Sequence, residues 1–336
     1  MSVKGWKMNN RRKLVIALGA GAFVVPLGSF AQTTASTYRV GTIDYGARPE
    51  RAVLWDAFFQ TLRDLGYIEG KNVIFEQRWA EGKNERLAGL AADLVKQNVT
   101  IIAAAGTPAT VAAAHATETI PMVFANLAGD PVALRLVTSF ARPNKNITGN
   151  TSLSSDLTGK RLELLREAIP SLRLAAMLWD KASPAAEASV REMEAAAKTL
   201  GLDFRAFVVS DTRDFDGAFA GIAKARAQAL VVASGGLFFT ERIRLAELAL
   251  KHQLPTIFSV GDYADAGGLF AYGPDLKDGM RRAAIYVDRI LKGAKPSELP
   301  IERPTKFELV INLKTARTLR LKIQQSLLVR ADKVIE

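Results

Sequence analysis

The feature that most constrains the fold is an alternation of short apolar runs with helix-period segments, which begins at Tyr38 and continues through the chain. The run over 99–105 is almost wholly apolar, which is typical of a parallel strand covered on both faces. Residues 50–65 place apolar side chains at helical spacing, and Gly66 ends that helix. Strands and helices in regular succession predict an α/β fold with parallel sheets.

The turn at 146–149 separates two series of alternating elements. The first series predicts strands over 38–44, 72–79, 99–105 and 120–126, and helices over 50–65, 84–97, 131–140 and around His115. The second series predicts helices over 156–168, 184–200, 213–226, 239–252 and 276–292, and strands over 173–180, 203–210, 229–234, 255–260, 267–273 and 306–312. Because a single core stops growing beyond ~250–300 residues, 336 residues favour two doubly wound lobes over one domain.

The first 31 residues have the layout of a secretory signal peptide. Basic residues precede an apolar run from Leu14 to Gly28, and small residues at Ser29 and Ala31 predict cleavage after Ala31. The apolar run has about 15 residues, fewer than the roughly 20 that a membrane-spanning helix needs. Since the chain has no cysteine, we expect no lipid anchor and a mature protein that is free and soluble after export.

Two details of the leader stay open. The pair Arg11-Arg12 resembles a twin-arginine signal but lacks the usual serine before it and phenylalanine after it, so Sec and twin-arginine export are both compatible with the sequence. Translation starts at Met1 or at Met8.

Composition excludes several classes of function. Much of the formal net charge of +11 lies in the leader, and the later basic residues alternate with acidic ones, so we expect no nucleic-acid partner. The absence of cysteine, with only His115 and His252 as histidines, excludes thiol catalysis and cysteine-based metal centres. No glycine-rich nucleotide loop or hydrolase motif follows a predicted strand of the mature chain, so we expect neither a cofactor nor an enzymatic activity.

Candidate ligand contacts follow the predicted strands, because open α/β sheets bind ligands at the carboxyl ends of their strands. We interpret Thr107 as the N-cap of a helix with Pro108 at its first position, which leaves backbone N–H groups and a hydroxyl free to bind a carboxylate. A plain helix cap without a ligand explains this turn equally well. Ser234, followed by two glycines, is the corresponding turn of the second series.

Charged and aromatic residues occupy other strand exits. Asp130 and Asp262 follow buried strands, where a carboxylate could pair with a ligand ammonium group or could simply cap the next helix. Tyr45 and Trp179 also lie at strand exits, where their rings could enclose an apolar or aromatic side chain. Packing in the core is the alternative for Trp179.

Several segments resemble ABC-transporter substrate-binding proteins related to the tryptophan and tyrosine uptake systems. The resemblance covers about 38–336 and is carried by segments at 65–67, 72–73, 105–108, 120–124, 129–132, 146–149, 266–269 and 304–321. It implies a periplasmic-binding-protein fold of type I, with two Rossmann-like lobes and three hinge crossings near 148–150, 272–274 and 302–305. Lobe 1 would then comprise 38–148 and 275–304, and lobe 2 would comprise 149–274 and 305–336.

The resemblance also implies a function. The protein would close its interlobe cleft on a small solute, an amino acid or a related carboxylate, and deliver it as a monomer to a cognate ABC permease in the inner membrane. Residues at which the family pattern and the strand-exit argument coincide are Tyr45, Thr107, Asn126, Asp130, Trp179, Ser234 and Asp262. Because 125–128 departs from the family's apolar pattern, the identity of the ligand is not carried over.

Three other classes of function are alternatives to solute transport. A periplasmic sensor that presents its closed form to a signalling receptor is an alternative, which the genes beside this one would distinguish. A transcription regulator on the same fold needs a helix-turn-helix where the export signal lies. An enzyme lacks any supporting motif.

Overall fold

The structure, a computed structural model, describes residues 37–336. The predicted signal peptide and its cleavage after Ala31 lie outside the described residues. The strands are β1 (Tyr38–Asp44), β2 (Val73–Trp79), β3 (Ile101–Ala105), β4 (Met122–Leu127), β5 (Ile147–Thr151), β6 (Leu174–Asp180), β7 (Asp203–Val209), β8 (Ala229–Val232), β9 (Thr256–Phe258), β10 (Phe270–Gly273), β11 (Glu308–Asn312) and β12 (Lys333–Ile335).

The helices connect and cover these strands. They are α1 (Arg48–Asp64), α2 (Asn84–Lys96), α3 (Thr107–Ala116), α4 (Thr158–Ala168), α5 (Ala186–Thr199), α6 (Phe215–Lys224), α7 (Gly236–Thr240), α8 (Arg242–Lys251), α9 (Asp262–Asp265), α10 (Leu276–Leu291), α11 (Leu313–Thr318) and α12 (Gln325–Arg330). Single turns of 3-10 helix lie at 212–214 and 296–298. None of the described helices combines the length and the apolar composition that crossing a membrane requires.

The strands form two sheets, one in each lobe. The first has the order β2-β1-β3-β4-β5, and all its pairs are parallel. The second has the order β12-β11-β10-β9-β8-β6-β7. It is parallel except where β11 pairs antiparallel with β10. The expected two-lobed, doubly wound α/β architecture is confirmed, and the one antiparallel pair lies toward an edge of the second sheet.

The order of elements follows the predicted alternation, with several differences. The predicted turn at 146–149 is wrong, because Ile147–Thr151 form strand β5. The segment predicted as one helix over 239–252 is divided between α7 and α8, which meet at Glu241. The helix predicted over 131–140 is wrong, because these residues form turns. Arg135 has a φ of 58°, and a left-handed residue cannot continue a right-handed helix.

Helix α10 returns the chain to the first lobe after β10. It packs against α1, β4 and β5, and its buried face includes Met280, Ala283 and Val287. The segment that follows α10 lies beside the end of β5, where Thr151 donates its backbone N–H to the carbonyl oxygen of Glu302 over 2.9 Å. Two stretches of chain that pass between the lobes are therefore hydrogen-bonded side by side.

Candidate functional site

A cavity lies between the lobes, at the carboxyl ends of strands from both sheets. In this structure its volume is about 50 Å³, which is smaller than the ~300–1,000 Å³ that small-molecule sites span. Lining residues from the first lobe are Tyr45, Arg51, Ala105, Gly106, Thr107, Pro108, Asn126 and Ala128. Ser152, Ser183, Ser234, Gly235, Gly236, Phe239, Ser259, Val260, Tyr263 and Leu276 complete the lining.

The two lobes touch each other across this cavity. A Cβ atom on Gly236 would lie 2.6 Å from Cδ1 of Tyr45, so the Tyr45 ring packs directly on the backbone where α7 begins. The guanidinium carbon of Arg51 lies 4.7 Å from the centre of the Phe239 ring, which is within cation–π distance. Since Tyr45 and Arg51 follow β1 while Gly236 and Phe239 belong to α7, the cleft is closed in this structure.

Tyr45 forms part of the cavity wall. Its hydroxyl donates a hydrogen bond to the carbonyl oxygen of Gly82 over 2.6 Å, which holds the ring in place on the first lobe. Burial raises the pKa of Tyr45 far above its usual range, and the nearby carboxylates of Asp180 and Glu85 raise it further. The phenol is therefore neutral at physiological pH and acts as a hydrogen-bond donor.

Thr107 faces the cavity at the start of α3. The prediction that Thr107 is the N-cap is wrong, because Gly106 caps α3 with a φ of 78° and Thr107 is the first helical residue. Glycine adopts this backbone conformation without the steric cost that a Cβ brings. The Thr107 hydroxyl oxygen accepts a hydrogen bond from the backbone N–H of Ala128 over 3.2 Å, which leaves its proton available to a ligand.

Asn126 lines the cavity and also holds α10. Its side-chain nitrogen donates to the carbonyl oxygen of Leu276 over 2.9 Å, and its backbone N–H donates to Oδ1 of Asn150 over 3.0 Å. A Cβ atom on Gly279 would lie 1.9 Å from Oδ1 of Asn126, so only glycine fits there in this arrangement. The structure therefore gives Asn126 a structural contact that the sequence does not indicate.

Four of the seven residues singled out from the sequence line the cavity: Tyr45, Thr107, Asn126 and Ser234. The structure does not bring the other three to it. Asp130 is exposed, and its Oδ1 accepts from the backbone N–H of Val132 over 2.8 Å, as a turn-capping carboxylate does. Trp179 packs against the hydrophobic core, and Asp262 begins α9 without lining the cavity.

Among the cavity residues that were not predicted from the sequence, Arg51 is the charged one. It is 7% exposed and donates from Nε to Oδ2 of Asp44 over 3.0 Å. Asp44 also accepts from Nε1 of Trp55 over 2.8 Å and from the backbone N–H of Gly46 over 2.9 Å. The two terminal nitrogens of Arg51 have no hydrogen-bond partner within residues 37–336. The spacing of Arg51 and Trp55, one helical turn apart on the face that packs beside Asp44, is the signal that could have indicated it.

A second arginine lies behind the wall contributed by the second lobe. Arg161 is fully buried and donates to the carbonyl oxygens of Ser154 and Tyr272 over 2.7 and 2.9 Å. No carboxylate of the described chain pairs with it, and its longest contact, 3.4 Å, reaches the carbonyl oxygen of Ser259. Burial lowers the pKa of Arg161 to about 9, so the side chain is still charged at neutral pH.

Within residues 37–336, His, Asp and Glu side chains form no group of three or more that could hold a metal ion. The site consists of the Arg51 guanidinium, several serine and threonine hydroxyls, the amino end of α3 and aromatic side chains.

Comparison with known proteins extends this description. Residues 47–335 match the family described as ABC transporter substrate binding protein. The chain belongs to this family. Members of the family bind a solute for a transporter, and the expected resemblance is confirmed.

Two solved structures have the same fold. A conserved domain protein from Vibrio cholerae superposes with a TM-score of 0.84 and 24% identity, covering 89% of this chain and 100% of that one. An ABC domain from Streptococcus pneumoniae in complex with L-Trp superposes with a TM-score of 0.82 and 23% identity, over the same shares of the two chains. These likenesses confirm the type I periplasmic-binding-protein fold.

A curated relative is similar in sequence. The tyrosine-binding protein of Clostridioides difficile is 24% identical over 263 residues, which cover 78% of this chain and 75% of the relative.

Proposed function

We propose that this substrate-binding protein captures a small carboxylate-bearing solute, an amino acid or a related carboxylate, in its interlobe cavity and delivers it to an ABC permease in the inner membrane. The observation that carries the proposal is the position of Arg51, which lines the cavity and whose terminal nitrogens have no hydrogen-bond partner within residues 37–336. A guanidinium group presents two parallel N–H donors that match the two oxygens of a carboxylate.

The surroundings of Arg51 support a carboxylate ligand. Thr107 and the amino end of α3 line the same cavity, and a helix N-terminus favours negative charge. Tyr45, Phe239 and Tyr263 supply apolar surface for the rest of the solute. The relative named tyrosine-binding protein and the structure with bound L-Trp favour a solute of amino-acid size.

Closure of the two lobes is the proposed binding step. The lobes would be 38–148 with 275–304 and 149–274 with 305–336, bending at the three chain crossings. A solute that contacts Arg51 in one lobe and Phe239 in the other stabilises the closed form, because it binds that form better than the open one. The protein would act as a monomer in the periplasm, after export directed by its first 31 residues.

A thermal-shift screen tests the proposal. The exported protein is unfolded in guanidinium to release any bound solute, refolded, and screened against amino acids, aromatic acids, dicarboxylates and sugars. A ligand at 100 times its Kd adds ~2.7 kcal/mol of stability, and we expect such a shift only from carboxylates. A shift from sugars alone, or an unchanged response in Arg51→Gln, would contradict the proposal.

A second experiment addresses the transport role. Cells that lack this protein should lose high-affinity uptake of the radiolabelled solute and regain it when the wild-type gene is restored. Normal uptake in the deletion strain, with purified protein that still binds the solute, would instead indicate the sensor alternative.

A further inference from the structure

We infer that the solute is a carboxylate without an adjacent ammonium group, such as a 2-oxo acid, a 2-hydroxy acid or an aryl-substituted carboxylic acid. This inference rests on the proposed function and narrows its ligand class. It follows from the charges that line and surround the cavity.

The cavity lining contains a cation and no anion from the described chain. Arg51 is its charged member, and no Asp or Glu of residues 37–336 lines it. An ammonium group that leaves water needs a carboxylate or several well-placed acceptors to replace its hydration. The α-ammonium of an amino acid would find no carboxylate in this lining.

Asp44, which lies behind Arg51, cannot pair with a ligand ammonium group. Its two oxygens already accept three hydrogen bonds, from Arg51, Trp55 and the backbone of Gly46. Asp44 is also 1% exposed, so Arg51 and Trp55 separate it from the solute. Its charge is used to hold Arg51 in place.

Asp180 is the remaining buried carboxylate near the cleft. It ends β6, and its Oδ1 accepts from the backbone N–H of Ala182 over 2.8 Å. Its neighbour is the Tyr45 phenol, and it does not line the cavity. Burial raises the pKa of Asp180, because desolvation outweighs the hydrogen bond from the backbone N–H of Ala182. Its position therefore offers no contact to an ammonium group in the cavity, and a variant of Asp180 is a suitable control.

Arg161 adds positive charge behind the opposite wall. Its guanidinium donates hydrogen bonds to three backbone carbonyl oxygens and to the Ser154 hydroxyl. One of these carbonyls belongs to Ser259, which lines the cavity. Arg51 nevertheless remains the charged residue that lines the cavity, and Asp44 binds only its Nε. An anionic solute can pair with the other nitrogens of Arg51, whereas a zwitterion also brings an ammonium group, for which the lining holds no carboxylate.

The hydroxyl groups of the cavity can donate hydrogen bonds to a ligand that carries a keto or hydroxyl oxygen at the position where an amino acid carries its α-ammonium group. The hydroxyls of Thr107, Ser234 and Ser259 line the cavity, and the Thr107 oxygen already accepts the N–H of Ala128. Hydroxyl protons are donors to a keto or hydroxyl oxygen.

Matched ligand pairs test the inference by isothermal titration calorimetry on refolded, solute-free protein. The pairs are phenylalanine with phenylpyruvate and 3-phenyllactate, tryptophan with indole-3-pyruvate and indole-3-propionate, and leucine with 4-methyl-2-oxopentanoate. In at least one pair, we expect the acid that lacks the ammonium group to bind at least ~30-fold more tightly than the corresponding amino acid.

An amino acid that binds as tightly as its deaminated partner would overturn the inference and leave the proposed function standing. If no carboxylate of any pair binds, the proposed function falls, and the inference falls with it.

Two variants separate the roles of the charges. Arg51→Gln should weaken the binding of the preferred acid at least ~30-fold, whereas Asp180→Asn should change neither its affinity nor the preference over the amino acid. Thermal unfolding of each variant checks that it folds. Loss of amino-acid binding in Asp180→Asn, with retained binding of the deaminated acid, would show that Asp180 holds an ammonium group and would refute the inference.

Discussion

The two walls of the cavity differ in how they use charge. In the first-lobe wall Arg51 lines the cavity, and because Asp44 binds only its Nε, its terminal nitrogens have no hydrogen-bond partner within residues 37–336. In the second lobe Arg161 is buried behind the cavity wall, because its guanidinium donates to backbone carbonyl oxygens. The residues that line the cavity there are mainly serines and aromatic residues. The difference indicates that the first lobe binds the polar end of the solute, while the second lobe covers it and supplies the interlobe contacts.

The largest expected effect is on the buried arginine of the second lobe. Arg161→Met leaves the carbonyl oxygens of Ser154 and Tyr272 without their donor, so we expect the free energy of unfolding to fall by about 3–5 kcal/mol. Urea denaturation measures it. Lys160→Met, at the exposed neighbouring position, is the control and should stay within ~0.5 kcal/mol of the wild type. An equally small effect of Arg161→Met would break the distinction between the two arginines.

The next largest effect is on closure. Gly236→Ala places a Cβ atom 2.6 Å from the Tyr45 ring, so the second lobe cannot reach its closed position without a shift. We expect ligand affinity to fall about tenfold to thirtyfold while the unliganded melting temperature stays nearly unchanged.

Gly235→Ala is the matched control for closure, because its Cβ atom would meet nothing closer than 3.7 Å. Calorimetric titration of both variants checks the comparison. Equal losses of affinity in the two would show that the contact between Tyr45 and Gly236 does not limit closure.

A moderate effect is expected from the hydroxyls of the two walls. Thr107→Val removes a hydroxyl donor from the wall that also contains Arg51, and an acceptor for Ala128, so we expect about a tenfold loss of affinity. Ser234→Ala, in the covering wall, should cost only about threefold. Asp130→Ala serves as the control and should bind like the wild type, since Asp130 is exposed and does not line the cavity. Comparable losses in the two hydroxyl variants would mean that both walls bind the polar end of the solute.

The smallest effect concerns pH and Asp180. Burial raises the pKa of Asp180 in the folded protein above its unfolded value, so the folded state binds the proton more tightly and stability decreases as pH rises through that folded pKa. Asp180→Asn removes this penalty and keeps an acceptor for the N–H of Ala182. The melting temperature of the variant should exceed that of the wild type at pH 7, and the difference should shrink as pH falls. A constant difference across pH would indicate that Asp180 does not titrate in that range.

Much of the fold could be predicted from the sequence because strand and helix periods are local properties of the chain. β1 was predicted with its observed bounds, and α10 differs from its prediction by one residue. The wrong prediction of a helix over 131–140 also has a local cause. Arg135 adopts a left-handed backbone conformation, which is not predictable from an arginine in the sequence. The antiparallel pairing of β10 with β11 depends on which strands become neighbours, which the periods do not specify.

The cavity could be predicted only in part. Tyr45, Thr107 and Ser234 follow strands and Asn126 lies near the end of β4; because the carboxyl ends of these strands form the cavity, their location was predictable from topology. Asp130 follows a strand as well, yet its carboxylate caps its own turn and stays exposed. A strand exit determines where a residue lies but leaves the direction of its side chain undecided.

The sequence by itself determined the order of the elements, the division into two doubly wound lobes and the family, because apolar periods and short motifs are written in consecutive residues. Only the tertiary structure decided the charge of the cavity. Arg161 donates to the carbonyl oxygen of Tyr272, 111 residues away, and the carboxylate of Asp44 accepts from Nε of Arg51, a residue that lines the cavity. Such contacts depend on packing between distant segments, and no local pattern records them.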